Sequence, residues 1–222
     1  MRKLGYSGYT GTPDAWVKFL TAWNEKAGVH LERNAGFDME AYVRNFPIDA
    51  PASYMHFMAA WESLGKGNII PVSPLEGREN DCFFNIREPK DVECLALLEA
   101  GKFIIELKFD ETLPSALARD DYYIYSSEQD YMPVYDASVC NFVVADYEDG
   151  EQSYLTLNPL VRTDDGEWEA ACFDFAAPSS HRFMSFADLM VFLYLNDIEK
   201  GDAVFWLSHK EDFTGLSKIL FG

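Results

Sequence analysis

Glu167 and Glu169 stand two residues apart in a segment of strand-like composition, which would place both carboxylates on one face roughly 7 Å apart. Inverting glycosidases use such a separation, one acid protonating the leaving group while the other activates water. General acid chemistry also needs one pKa raised, and an exposed strand offers no cause for that. Asp164 and Asp165, just upstream, could hold a hard cation, but adjacent acids ahead of Gly166 are also ordinary turn chemistry. Ser179, Ser180 and His181 bring hydroxyl and imidazole together in sequence, without the GxSxG elbow that presents a nucleophile. The four cysteines, Cys82, Cys94, Cys140 and Cys172, form no CxxC, and the four histidines show no HxH or HxxxH spacing. They read as buried reduced thiols, with no metal and no cofactor expected. Phosphate-cradling glycine motifs are absent as well.

The elements that would carry these residues can be read from periodicity. Thr12-Pro13-Asp14 is a helix start, with a capping hydroxyl, proline at the first helical position and an acid at the positive dipole end. Trp16, Phe19, Leu20, Trp23 and Ala27 follow at helical spacing, and Gly28 ends the run. A second helix is expected over about Pro51 to Leu64 and a third over about Pro89 to Ala100. Strands are expected at Phe103 to Phe109, Tyr122 to Tyr125, Val139 to Ala145, Tyr154 to Leu157 and Trp168 to Phe175. Asp149-Gly150 and Asp165-Gly166 read as hairpin turns, and broken alternation at Ala170-Ala171 suggests a bulge. Ser185 with Asp188 resembles a capping box opening a last long helix. A strand of sequence AVFWLSH after Gly201 and an amphipathic tail complete an α+β fold, an antiparallel β-meander packed with flanking helices.

Charge narrows the function. The 222 residues carry 37 acids and 18 Lys plus Arg, a formal net charge of −19. Such a chain is repelled by phosphate backbones and anionic lipid, so neither nucleic acid nor membrane is an expected partner; a basic protein is. Residues 106–174 hold 17 acids and three bases, and so carry −14 of the −19. If helices cover one sheet face, these acids belong on the other face, the edges and the loops. No apolar leader opens the chain, and the longest apolar run, Leu189 to Leu195, is far short of the ~20 residues that cross a bilayer. A cytoplasmic location is expected.

Several blocks of sequence resemble one family. LNPLVRTDDGEWEA (Leu157 to Ala170) followed by HRFMSFADLM (His181 to Met190) is similar to the C-terminal signature of the SUKH superfamily, whose bacterial members are immunity proteins of polymorphic toxin systems. The matching positions are Asn158 and Pro159, Gly166 and Trp168 within Gly-Glu-Trp-Glu-Ala, then Arg182, Phe183, Ser185 and Phe186. YYIYSSEQD (Tyr122 to Asp130) resembles the tyrosine-rich strand of the family, and FPIDAPASYMHFMAAWESLG (Phe46 to Gly65) its opening helix. Ser179-Ser180-His181 departs from the family, which often has glycine before the Arg-aromatic pair. The resemblance implies a SUKH-like single domain over 46–199, an N-terminal helical extension over 1–45 and a C-terminal segment, 200–222, packing on the same domain.

It also implies no reaction: such a protein would neutralise a cognate toxin domain, of nuclease or deaminase class, by direct binding. The exposed acids Asp130, Asp164, Asp165, Glu167 and Glu169 are the expected contacts. Trp168, Phe183 and Phe186 are expected in the core, Asn158-Pro159 in a turn, and Arg182 as the buried partner of an acid. A regulatory or scaffold module of the same fold is the alternative, and a carboxylate-based hydrolase the third reading.

Overall fold

The computed structural model describes residues 5–26, 28–65, 70–72, 82–87, 89, 93–94, 115–123, 125, 141–147, 153–174, 179–198 and 217–221. The first helix, α1 (Pro13–Lys26), starts where the capping residues place it, with Thr12 Oγ1 accepting from Ala15 N at 3.2 Å. Gly28, at φ +76°, closes the turn through a bond from its N–H to Glu25 O. A short helix that periodicity did not reveal, α2 (Met39–Arg44), is capped by Asp38, whose carboxylate accepts from Ala41 N at 2.9 Å. Next comes α3 (Ala52–Ser63), with Pro51 at its N-cap and no capping side chain of its own. The last elements are α4 (Phe186–Ile198), capped by Ser185 Oγ on Asp188 N at 3.0 Å, and α5 (Lys218–Phe221).

Among the described residues the strands are β1 (Ile70–Val72), β2 (Cys82–Ile86), β3 (Glu93–Cys94), β4 (Phe142–Tyr147), β5 (Ser153–Arg162), β6 (Trp168–Asp174) and β7 (Ser179–Phe183). They form one antiparallel sheet in the order β1-β2-β4-β5-β6-β7, with β3 pairing β4. Helices with an antiparallel sheet make an α+β fold. Among the described residues no helix is long and apolar enough to cross a membrane.

One face of the sheet packs against the helices. Val144, Leu155, Leu157, Trp168, Ala170 and Phe183 join Trp16, Phe19, Trp23, Tyr54, Phe57, Phe186, Met190 and Phe221 in a single buried cluster. Trp16 is its hub, meeting Phe19, Phe57 and Phe221 at ring-centroid distances of 5.5, 5.4 and 4.6 Å. The helix expected as an extension therefore supplies the centre of the core. The other face is covered at 115–125: Leu117 and Tyr122 pack on Val161, with Tyr123 and Leu160 beside them.

That second layer explains several corrections. Tyr122 to Tyr125 is not a strand, because Asp121–Tyr123 is a 3₁₀ turn lying on the sheet. The broken alternation at Ala170-Ala171 is not a bulge. Both residues stay in register with β5 and β7, and both are buried because both sheet faces are covered. The register shift falls instead between Asn158 and Arg162, so Asn158-Pro159 lies within a strand rather than in a turn. Proline has no N–H for the ladder and forces the irregularity there. Asn158 Oδ1 accepts from Leu160 N, and Arg162 Nε donates to Pro159 O, which satisfies the disrupted backbone. The helix expected over Pro89 to Ala100 is contradicted at Glu93–Cys94, which pair with Val143 and Phe142. The Asp149-Gly150 turn and the strands expected at 103–109 and 203–209 lie outside the described residues.

Candidate functional site

Between β5 and β6 the chain turns at Thr163–Glu167, closed by Thr163 N to Glu167 O at 2.8 Å and Gly166 N to Thr163 O at 3.2 Å. Gly166 sits at φ +87°, a left-handed conformation that residues with a Cβ adopt only under strain. This turn and the strand after it carry four of the five acids expected at a partner interface, and they fall into very different surroundings. Asp130 lies outside the described residues.

Glu169 is not on an exposed face; it is 1% exposed. It lies on the side of β6 away from the helices, directly across from Asn158 on β5. Its Oε1 accepts from Tyr122 Oη at 2.5 Å and Asn158 Nδ2 at 3.2 Å. Oε2 accepts from Tyr125 Oη at 2.7 Å and Arg182 Nη1 at 2.9 Å. Arg182, 2% exposed, also donates to Tyr122 O and lies over the Tyr122 ring, its Cζ 3.9 Å from the centroid. Burial opposes the guanidinium charge, yet Glu169 and the two tyrosines prevail and hold its pKa above the ordinary value. Burial first, then Glu169, pushes both tyrosine hydroxyls well up. Every strong acceptor site on the carboxylate is thus occupied, as a buried ion pair requires.

Glu167 is 2% exposed and turns the other way, to α3. Its Oε1 accepts from Ser53 N at 3.0 Å, and its Oε2 accepts from Ser53 Oγ. Pro51 cannot cap α3 with its side chain, so a carboxylate from the hairpin turn does so across the fold. Burial pushes the Glu167 pKa up to about 7, against the two Ser53 donations that lower it, with Asp165 and Asp188 adding to the rise. The folded state therefore favours the protonated form. Its contribution to stability is full below the ordinary value near 4.5 and is lost as pH rises through about 7. Glu167→Gln keeps an acceptor for Ser53 N but removes the titration. Urea unfolding between pH 5 and pH 8 should show the wild type losing stability relative to this variant.

Asp165 is exposed, but its carboxylate is occupied. It accepts from Ser7 N at 3.0 Å, Ser7 Oγ at 2.7 Å and Gly8 N at 3.0 Å. Burial works to raise its pKa, and hydrogen bonds from Thr163, Ser7 and Gly8 outweigh it, leaving the carboxyl below the usual range. Asp164 is exposed, and its N–H donates to Gly5 O at 2.7 Å. Of the four described contacts expected from the sequence, Asp164 and Asp165 remain at the surface, while Glu167 and Glu169 are removed from it. The physical reason is that both sheet faces are covered there, so Glu169 on β6 and Glu167 just before it are held where buried donors converge.

Asp188 repeats the pattern. It pairs with Ser185 at the helix start, as the capping pattern predicts, and its Oδ1 also accepts from Ser217 N at 2.6 Å, at the start of α5. Burial raises its pKa against the donations from Ser217 and Ser185.

The blocks that carry the family resemblance meet in space. Tyr122, Asn158, Glu169 and Arg182 form the ion-pair network just described, and Trp168, Phe183 and Phe186 are buried on the helix side. Trp168 stacks on Phe142 at 6.2 Å, with Arg162 over it at 4.7 Å. Chemically this site is a set of internal fasteners: Glu167 and Glu169 are bound through both oxygens to donors of their own chain, and Asp188 through Oδ1, its Oδ2 having no partner among the described residues. Among the described residues no group of three or more His, Cys, Asp or Glu could hold a metal ion. Sequence reasoning missed Ser53, Tyr125 and Ser217 as partners; the available signals were an N-cap proline lacking a side-chain acceptor and tyrosines in excess of what an apolar core needs. Comparison of the chain with models of known families, with curated proteins and with solved structures finds no match.

Proposed function

We propose that the chain is a non-catalytic binding protein of SUKH-like fold, a cytoplasmic immunity protein that occupies a basic toxin domain of nuclease or deaminase class. The observation that carries this reading is how the negative charge is divided between interior and surface. The buried Glu169 is neutralised by Arg182, so that pair contributes nothing to the net −19, and Glu167 takes up a proton near neutral pH. The excess charge thus stays with the rest of the chain, including exposed acids such as Glu25, Glu32, Asp38, Glu40, Asp49 and Asp120. A field of that sign repels nucleic acid and draws in a protein built to hold phosphates. The interior carboxylates support the non-catalytic side of the proposal, since both members of the Glu167 and Glu169 pair are covered and engaged by donors.

Asp164 stays in the proposed contact set, and Asp165 now has a second task in holding residues 7 and 8. A growth assay tests the reading. The gene beside that of this chain should encode such a toxin domain, and co-expression of the chain should protect cells from it while leaving unrelated nucleases fully toxic. Cell death at undiminished rate, with the chain folded and abundant, would overturn it.

A further inference from the structure

Residues 5–12 cross the ends of three elements as a strap fastened at separate points. Asp165 takes Ser7 and Gly8, and Thr10 Oγ1 donates to Phe221 O at 2.6 Å. Tyr9 makes the third fastening. Trp16 Nε1 is a donor only, and it donates to Tyr9 Oη at 2.7 Å. His56 Nδ1 lies 3.0 Å from the same oxygen, and the tautomer that gives the phenol hydrogen an acceptor there leaves this ring nitrogen unprotonated. The imidazole also bonds the backbone of Gly11 of the strap, and in this tautomer its hydrogen sits on Nε2. In this state His56 is neutral and every hydrogen has an acceptor.

We infer that the Tyr9 fastening of the strap is acid-labile: when His56 gains a proton, two hydrogens face each other between Tyr9 Oη and His56 Nδ1, and residues 9–11 come away from α1 and α3 while Asp165 still holds Ser7 and Gly8. The phenol oxygen could then accept from both Trp16 and His56, but its own hydrogen would be left without an acceptor in a largely buried position.

The groups facing this junction do not relieve the conflict. From the strap come the Tyr9 hydroxyl and the Gly11 carbonyl, and from α1 the Trp16 indole. On α3 itself the neighbours one turn away are Ser53, Ala59 and Ala60. From α5 come the Phe221 ring, 5.9 Å from Tyr9, and the Lys218 chain packed against Gly8. From the β5–β6 turn, Glu167 bears on Tyr9 and favours keeping the phenol hydrogen in place. Burial lowers the His56 pKa below its ordinary value, against the Gly11 bond that raises it. The fastening is therefore complete above about 6.5 and is lost as pH falls through the folded-state value. Asp165 fails later in the same direction, because its depressed pKa keeps the Ser7 and Gly8 bonds until stronger acid.

Amide hydrogen exchange at residues 9–11, corrected for intrinsic rate, measures the opening directly. Opening should rise by up to about tenfold per pH unit as pH falls from the ordinary histidine value of 6.5 toward the lowered value of the fastened state, the slope of one linked proton, and level off below it. In His56→Asn, which offers an acceptor that does not titrate, the slope should vanish over the same range. Unchanged protection from pH 7.5 to 5, or an equal slope in the variant, would overturn the inference. The unaltered protein gives an independent check: imidazole nitrogen NMR at pH 7.5 should show Nδ1 bare and Nε2 protonated. Finding the hydrogen on Nδ1 would overturn it equally.

Discussion

Replacing Arg182 with alanine is expected to lower the unfolding free energy by about 3–5 kcal/mol, because it strands a buried carboxylate without its counter-ion. Arg182 and Glu169 have side chains 1% and 2% exposed, and their atoms are 2.9 Å apart. Tyr122, Tyr125 and Asn158 would still donate to Glu169, but none of them supplies positive charge. The variant also removes the donor to Tyr122 O and the cation over the Tyr122 ring, loosening residues 121–125 from the sheet. Arg182→Lys should fare little better, since an ammonium cannot reproduce the forked contacts and the stacking together. The paired variant Glu169→Leu with Arg182→Met removes both charges and should cost less than the two single changes combined. Urea unfolding of the four proteins in a double-mutant cycle measures this; additive single effects would mean that the pair is not coupled.

Trp16→Ala should cost a similar amount, about 3–5 kcal/mol, for a different reason. Trp16 is wholly buried and packs edge-on against Phe19 and Phe57 and tilted against Phe186 and Phe221. Its loss opens a cavity where α1, α3, α4 and α5 meet. For a chain of this length, each kcal/mol shifts the melting temperature by about 2–4 °C, so calorimetry should record a fall of about 10 °C. Trp16→Phe separates the two contributions: it keeps much of the packing and removes only the N–H that fixes Tyr9. Its cost should be a fraction of the alanine value, with exchange at Tyr9 affected more than global stability.

Local rules written into single segments were legible in advance. Thr12-Pro13, Gly28, Ser185 and Asp165-Gly166 mark ends and turns through chemistry within a few residues, and the structure places helices and a hairpin at each. The burial of Arg182 against an acid was also expected. What could not be read was the second layer over the sheet. Tyr122 looks like a strand residue by composition, and only the packing of 115–125 on Val161 shows otherwise. That missing layer also misdirected the acids. With one open face assumed, Glu167 and Glu169 belonged to solvent; with both faces covered, they became a cap for α3 and an anchor for Arg182. Long-range capping leaves no local pattern: Ser53 and Glu167 are 114 residues apart.

The central claim is that the excess negative charge recruits a basic partner, and association kinetics with the proposed basic toxin domain across a salt series test it most directly. The account predicts a one-to-one complex whose association rate falls at least about tenfold between low and high ionic strength, with a much smaller change in dissociation. Asp164→Lys should flatten that dependence slightly without unfolding the protein. A complex whose association ignores salt, or no complex between two folded partners, would contradict the account.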